Sequence, residues 1–470
     1  LKYRGLTYSE IWISEAQERM ALSVPREKKD ALLGLFSAEN VEATVIGEFT
    51  DSKRLELFYE GNRVCNLEMK FLHQGLVQLV KKAVWKEPEY KEPNFSCPQD
   101  LTGILKKLLS HYNIASKEWI IRQYDHEVQG GSVLKPLVGI VNDGPSDAAI
   151  VKPRPNSNRG VIVSCGINYK FGLIDPFWMA ASCIDEALRQ VIAVGGSLKE
   201  VALLDNFCWG NPDKPDRLGG LVRAAMACYK IAKGFAVPFI SGKDSLNNEY
   251  SLEGKSKAIP GTLLISSIAV MEDIRKAVSM DAKKEGDLIY VLGDTYNELG
   301  GSHYFDIMGF IGNNVPKVNT KKARALMNRL SQGTKKGLAK AIHDCSEGGL
   351  AIALAEMAFS GGLGMEIFLG EVPYKIKNQK SKIKITNQNS KTNYLRNDFV
   401  LFSESNSRFV VEVEKTKQKE FEQLMQGVCC GLIGCISNSR DFRVYGFDGK
   451  PCIEAGIYDL KETWAKPLRW

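Results

Sequence analysis

The run His343-Asp344-Cys345-Ser346-Glu347-Gly348-Gly349-Leu350 places an acid, a hydroxyl and two glycines where an apolar helix begins. Free backbone N–H groups at the positive end of a helix suit a phosphate. Asp344 would then be an anion beside an anion, an arrangement that calls for a bridging divalent cation. An ordinary capped helix, with Ser346 as the cap, is the alternative. A second group has similar chemistry. Asp147 follows the loop NDGPS, and Glu186 and Gln190 stand four apart, on one face of a helix. Three oxygen-bearing side chains suit a hard cation such as Mg²⁺. By spacing alone, Glu186 and Gln190 on a solvent-facing helix surface is the simpler reading.

Two further segments put polar residues where strands end, a usual place for ligands in mixed α/β units. One is Leu204-Asp205-Asn206-Phe207-Cys208-Trp209-Gly210-Asn211-Pro212; the other is Ile240-Ser241-Gly242-Lys243-Asp244-Ser245-Leu246. Either also serves as a plain turn. Gly242-Lys243 is not a Walker A loop, because Val237 stands where that motif needs its first glycine. Ser14-Glu15-Ala16-Gln17-Glu18 offers acceptors and an amide at the mouth of a strand, either a polar substrate site or an edge surface. The five His form no HExxH pair, and no Cys/His arrangement argues for a thiol nucleophile.

Three helices must position these groups. The first opens at Asp175-Pro176, a cap followed by proline at the first helical position; the second follows Pro215; the third begins near Glu347. Around them GVIVSCG, SLKEVALLD, FAVPFIS, GTLLISSIAVM and LIYVLGD read as strands. An internal repeat organises the rest. Ser14-Glu15-Ala16-Gln17-Glu18-Arg19-Met20 matches Ser403-Glu404-Ser405-Asn406-Ser407-Arg408-Phe409, 389 positions on, and Val45-Ile46-Gly47 and Gly61 recur at 387 and 388. Each copy's tail reads as strand, helix, strand, strand, with strands at RMALSV and ATVIGEF in the first and RFVVEV and GLIGCIS in the second. The expected class is α+β, helices covering mixed sheets. Residues 1–72 would be the tail of one copy, 73–130 a linker, and 131–283 and 284–470 the two domains of a whole second copy.

The chain has 470 residues, 44% hydrophobic and 25% charged, as in ordinary globular proteins. Its net charge of +7 is mostly local, since residues 375–392 hold six Lys and no acid. A solvated loop explains that better than a nucleic-acid face. Eleven Cys without a CxxC pair fit a reduced, cytoplasmic setting, and no apolar run approaches membrane-spanning length.

The segments LTYSEIWISEAQERM, YDHEVQGGSVLKPLVG, DNFCWGNPDKP, FISGKDSLNNEY, LGDTYNELGGSHY and HDCSEGGLAIALAEMAFSGGLG, in this order, resemble the phosphoribosylformylglycinamidine synthase family, the synthetase subunits of the aminoimidazole ribonucleotide synthetase superfamily. The resemblance implies tandem A-type plus B-type domains, which accounts for the repeat. It implies an ATP-dependent ligase of purine biosynthesis that converts formylglycinamide ribonucleotide to the amidine, with Mg²⁺ and positioning rather than a covalent nucleophile carrying the phosphoryl chemistry. Residue by residue, Glu15, Ala16, Gln17 and Ser245 match substrate contacts, and Asp205, Gly242 and Lys243 match positions near ATP and its metal. Asp147, Glu186, Gln190 and Asp344, with Ser346, match a second site that holds Mg²⁺ and a structural ADP in some members. Some relatives have Asn at the place of Gln190, and Asn-Val at the place of Lys243-Asp244. The family's catalytic His lies in a first A-type domain outside these 470 residues, so this chain is expected to be the C-terminal half, with ammonia coming from a separate glutaminase subunit. Competing expectations are a non-catalytic nucleotide-binding scaffold, or a single-copy superfamily member such as a selenophosphate synthetase, against which the repeat argues.

Overall fold

The computed structural model describes residues 5–123, 126–375 and 396–469, within two units, Leu1–Val80 and Lys81–Trp470. The first contains helices α1 (Tyr8–Ile13) and α2 (Lys29–Ala38), an antiparallel hairpin of β1 (Arg54–Tyr59) and β2 (Asn62–Glu68), and helix α3 (Met69–Gln74). Thr7 and Glu10 start α1 with a reciprocal capping box. The strands expected at RMALSV and ATVIGEF do not form. An isolated extended segment leaves its N–H and C=O groups unpaired, and among the described residues of this unit no strand lies beside either. Met20, Ile46 and Phe49 are accordingly about nine-tenths exposed, at 90%, 92% and 90%.

The second unit opens with α4 (Leu101–Leu109). Asp100 caps it, accepting from the Gly103 N–H at 2.8 Å, and Leu105, Leu108 and Leu109 are fully buried. The stretch 73–130, expected as a linker, therefore contributes α4 to this unit's core, because the apolar stripe of that helix has to be covered.

A six-stranded sheet follows: β3 (Ser132–Leu134), β4 (Ala149–Val151), β5 (Gly160–Ile167), β6 (Val201–Cys208), β7 (Phe239–Ser245) and β8 (Thr262–Met271), in the order β3-β4-β5-β8-β6-β7. All pairs are antiparallel except β6 with β7. Helix α5 (Pro176–Ala193) lies on β5 and β8, and α6 (Pro215–Phe235) packs on α5. Asp175 accepts from the Phe177 N–H at 2.9 Å and Pro176 fills the first helical position, so α5 starts where its sequence predicts. The other face of the sheet leaves Val163, Ile167, Ile268 and Val270 exposed.

A seven-stranded sheet completes the unit: β9 (Leu288–Leu292), β10 (Ala341–Asp344), β11 (Gly364–Phe368), β12 (Phe409–Val413), β13 (Cys430–Ser437), β14 (Asp441–Tyr445) and β15 (Pro451–Gly456), in the order β10-β12-β9-β13-β11-β14-β15. Its helices are α7 (His303–Ile307), α8 (Thr320–Lys335), α9 (Gly349–Gly361), α10 (Asn397–Phe402), α11 (Gln418–Leu424) and α12 (Ile457–Ala465). Helix α9 is apolar except for Glu356 and Ser360 and is buried along its whole length, against α4, α10, α12 and the sheet. Helix α5 also touches β10, so it belongs to the packing of both sheets.

The repeat is visible in the elements. α1 and α10 have the same bounds 389 positions apart, α2 and α11 begin 389 apart, and both tails end in a hairpin followed by a helix. In the second copy β12 and β13 flank β9, which gives them the pairing that their counterparts in the first unit lack. Apart from Lys375, which pairs with Asp294, the lysine-rich segment lies outside the described residues. All eleven cysteines are free. Among the described residues no helix is long and apolar enough to cross a membrane.

Candidate functional site

Helix α5 can approach β5 because Gly166 has no side chain; a Cβ there would sit 2.2 Å from the Cys183 carbonyl. That approach brings Glu186 and Gln190 to the strand end. Glu186 Oε2 accepts from the Ile167 N–H at 3.0 Å and from Asn168 Nδ2 at 2.6 Å, while Gln190 Oε1 accepts from the Cys165 N–H at 3.2 Å. Both are thus turned inward, and the solvent-facing alternative does not hold for Glu186, which is only 5% exposed.

The loop from β10 to α9 brings the second set. Asp147 Oδ1 accepts from the Asp344 N–H at 2.9 Å and faces His343 Nδ1 at 2.8 Å, and the other ring nitrogen of His343 faces Glu356 Oε2 at 2.9 Å. Burial opposes a charge on His343, but the Asp147 and Glu356 carboxylates outweigh it and hold its pKa well above the usual value. A protonated imidazole donates to both carboxylates and orients Asp147.

Ser346 does not cap α9. The cap position is Gly348, in the left-handed region at φ 74° and without a side-chain cap. Ser346 Oγ instead donates to Asp344 Oδ2 at 2.6 Å and accepts from Arg189 Nη2 at 2.8 Å. The helix start is also less open than its sequence implies, because Glu404 Oε1 accepts the Gly348 N–H at 2.8 Å.

Most of these side chains surround one cavity, about 120 Å³ at its core and about 510 Å³ with its mouth, although Arg189 and Glu404 are not in its lining. Asp147, Glu186, Gln190, Asp344 and Ser346 all lie in its wall, with Asn113, His343, Glu347 and Glu356. Donor atoms of Asp147, His343 and Asp344 lie within 4.8 Å of one another. Burial, then repulsion from Glu347, raises the Glu186 pKa well above normal. Burial pushes Glu347 up to about 6 and raises Asp344 as well. Carboxyls crowded in this way favour a cation among them. Both nitrogens of His343 are already directed at carboxylates, so the donor set left for a metal is oxygen, which fits a hard ion such as Mg²⁺.

Asp205, Gly242, Lys243 and Ser245 form a separate group on the parallel pair β6 and β7, and none of them lines this cavity. Asp205 is in register with Gly242 and Asn206 with Lys243. Burial, then the nearby Asp244 charge, raises the Asp205 pKa, and Lys243 Nζ bonds to Ser245 Oγ. In the first unit Glu15, Ala16 and Gln17 follow α1 and are exposed.

Sequence reasoning missed Arg189, His343, Glu356, Asn113 and Glu404. Arg189 carried a signal, three positions after Glu186 and so on the same helix face. Glu404 also did, as the repeat counterpart of Glu15. Asn113 did not, because its segment read as a linker.

Two family models match the chain: "AIR synthase related protein, N-terminal domain" over residues 145–262, and "AIR synthase related protein, C-terminal domain" over residues 3–60 and again over 284–446. The chain is 33% identical over 434 residues to the phosphoribosylformylglycinamidine synthase subunit PurL of Methanocaldococcus jannaschii, an alignment covering 91% of this chain and 55% of that protein. The chain therefore spans little more than half the length of the relatives it matches. Among solved structures, Thermotoga maritima PurL complexed with FGAR superposes with a TM-score of 0.57 at 16% identity, over 79% of this chain and 54% of that one. The same PurL complexed with ATP gives 0.51 at 15%, over 78% and 55%. Matches to both domain models, to the C-terminal model twice, and to PurL sequences and fold place the chain in the AIR synthase related family, where its resemblance is to the PurL subunits of phosphoribosylformylglycinamidine synthase.

Proposed function

We propose that the chain is one part of the ATP-dependent ligase that converts formylglycinamide ribonucleotide and glutamine-derived ammonia to formylglycinamidine ribonucleotide, ADP and phosphate in the cytoplasm. The observation that carries this reading is that Asp147, Glu186, Gln190, Asp344 and Ser346, supplied from both sheets, line one cavity. In this reading the first four hold Mg²⁺ and Ser346 meets the phosphates of a retained ADP. Mg²⁺ supplies charge neutralisation between phosphate and carboxylate oxygens when bound. The protein's own part is to crowd acidic oxygens where bare polyphosphate would be repelled.

Asp205, Gly242 and Lys243 serve the reacting ATP, and Ser245 with Glu15, Ala16 and Gln17 contacts the substrate, FGAR in the Thermotoga complex. Residues 1–72 are assigned as the tail of a first B-type domain, 131–283 as an A-type domain and 284–470 as the second B-type domain. The catalytic His is assigned to polypeptide corresponding to the part of the relatives that the chain does not span, and the ammonia to a separate glutaminase.

Mass spectrometry of gently purified protein tests the nucleotide site. Retained ADP that Asp344→Ala releases is the expected result; ADP retained equally by both proteins would overturn it. The isolated chain is expected to show no ammonia-dependent turnover, and turnover would refute the division of the active site.

A further inference from the structure

Arg189 stands on α5 between Glu186 and Gln190 and is 2% exposed. Its guanidinium reaches across from the first sheet's helix to the second sheet's loop. Nε donates to Asp344 Oδ2 at 3.2 Å and Nη2 to Ser346 Oγ at 2.8 Å. Nη1 pairs with Asp185, one turn earlier, and approaches Asn406 Oδ1 at 3.4 Å. Asp185 in turn accepts from the Ser407 N–H at 2.8 Å and from Ser407 Oγ at 2.5 Å. The buried cation therefore joins the cavity wall to the loop of residues 403–408.

Two donors, Arg189 Nε and Ser346 Oγ, converge on Oδ2 of Asp344. Oδ1 accepts no hydrogen bond among the described residues and is left to take a cation. A carboxylate held in this way offers one oxygen in one direction. Five carboxylate residues line the cavity, Asp147, Glu186, Asp344, Glu347 and Glu356, and without Arg189 the Asp344 side chain would have reason to turn away from its neighbours.

We propose that Arg189 is a positioning residue for cation-dependent nucleotide binding, fixing Asp344 and Ser346 toward the cavity and coupling its occupancy to the seating of the 403–408 loop on α5. The planar fork has donors for Asp185, Asp344 and Ser346 at once, which a lysine ammonium on a flexible stem does not reproduce. This rests on the reading of the cavity as a Mg²⁺-nucleotide site.

The test is calorimetric titration of the nucleotide-free 470-residue chain with ADP at saturating Mg²⁺, alongside urea unfolding, for Arg189→Lys, Arg189→Met, Asp344→Asn and the Arg189→Met/Asp344→Asn pair. Arg189→Lys covers the case in which Arg189→Met does not fold. The expected result is a roughly tenfold or greater weakening for each Arg189 variant. The double variant should lose less than the sum of the two single losses, since the Arg acts in part through that carboxylate. ADP affinity within twofold of the parent in a folded Arg189 variant, or losses that add in the double variant, would overturn the proposal. Unchanged affinity in Asp344→Asn would overturn the nucleotide reading of the cavity itself, and this inference with it.

Discussion

Arg19 and Arg408, 389 positions apart, make the same pair of hydrogen bonds. In each, Nη2 donates to the carbonyl five residues back, Ser14 or Ser403, and Nε to the carbonyl three residues back, Ala16 or Ser405. The preceding residue is left-handed in both, Glu18 at φ 60° and Ser407 at φ 59°. The two loops differ in burial: Arg408 is fully buried and also bonds Thr295 Oγ1 at 3.1 Å, whereas Arg19 is exposed. Removing Arg408 strands two buried carbonyls and leaves a cavity, so Arg408→Ala should cost about 2–4 kcal/mol. Arg19→Ala should stay below about 1 kcal/mol. Urea unfolding of the two variants measures this, and equal losses would count against the difference in burial.

Gly242 is matched to Asp205 across β6 and β7. A Cβ at Gly242 would lie 1.6 Å from Asp205 Oδ1, so any side chain there must displace the carboxylate. Gly242→Ala should lower stability by about 1–3 kcal/mol. Adding Asp205→Ala should recover part of that loss, because the clash is with the Asp205 side chain. Failure of the second substitution to help would mean that the strain lies in the backbone.

Leu108 is fully buried in α4, within the stretch expected as a linker. Leu108→Ala should destabilise the second unit by about 2–5 kcal/mol. A loss under about 0.5 kcal/mol, read from the unfolding midpoint, would return the segment to the status of a linker.

Glu412 on β12 is buried and accepts from the Lys283 N–H at 2.9 Å and the Lys284 N–H at 3.1 Å, just before β9. Burial, which outweighs those bonds, together with the neighbouring Asp287 carboxyl, pushes its pKa up to about 8. Asp287 Oδ2 has no other partner among the described residues, and a proton on Glu412 supplies one. The folded state therefore holds this proton over a range where the unfolded chain, titrating near 4.5, has released it. Stability must fall as pH rises from about 4.5 to about 8, by at most about 1.4 kcal/mol per unit from this group. Glu412→Gln should flatten that slope and gain on the parent at pH 8 relative to pH 5. Parallel curves of urea midpoint against pH would refute it.

Much of the fold was legible where local signals agree with burial. The Asp175-Pro176 start of α5, the alternation of β5 and β8, and the largely apolar run of α9 are local properties of the chain. So was the repeat, since its counterpart residues sit at fixed distances along the sequence. RMALSV and ATVIGEF misled for a physical reason: alternation reports the tendency of a segment to be a strand, but pairing needs a second strand, which β9 gives to β12 and β13 and nothing described in the first unit gives to their counterparts.

The candidate site divides in the same way. Sequence alone determined which side chains can hold a cation or meet a phosphate, because acid, hydroxyl and amide chemistry travels with residue type. Tertiary structure decided that Asp147, Glu186, Gln190 and Asp344 share a cavity while Asp205 and Gly242 do not line it, that Ser346 serves Asp344 and Arg189 rather than the helix start, and that Glu404 takes the Gly348 N–H. Those outcomes depend on α5 touching both sheets and on residues 147, 189, 344 and 404 being brought together from different elements. Contacts across such separations are fixed by packing and charge pairing in space, which no spacing along the chain encodes.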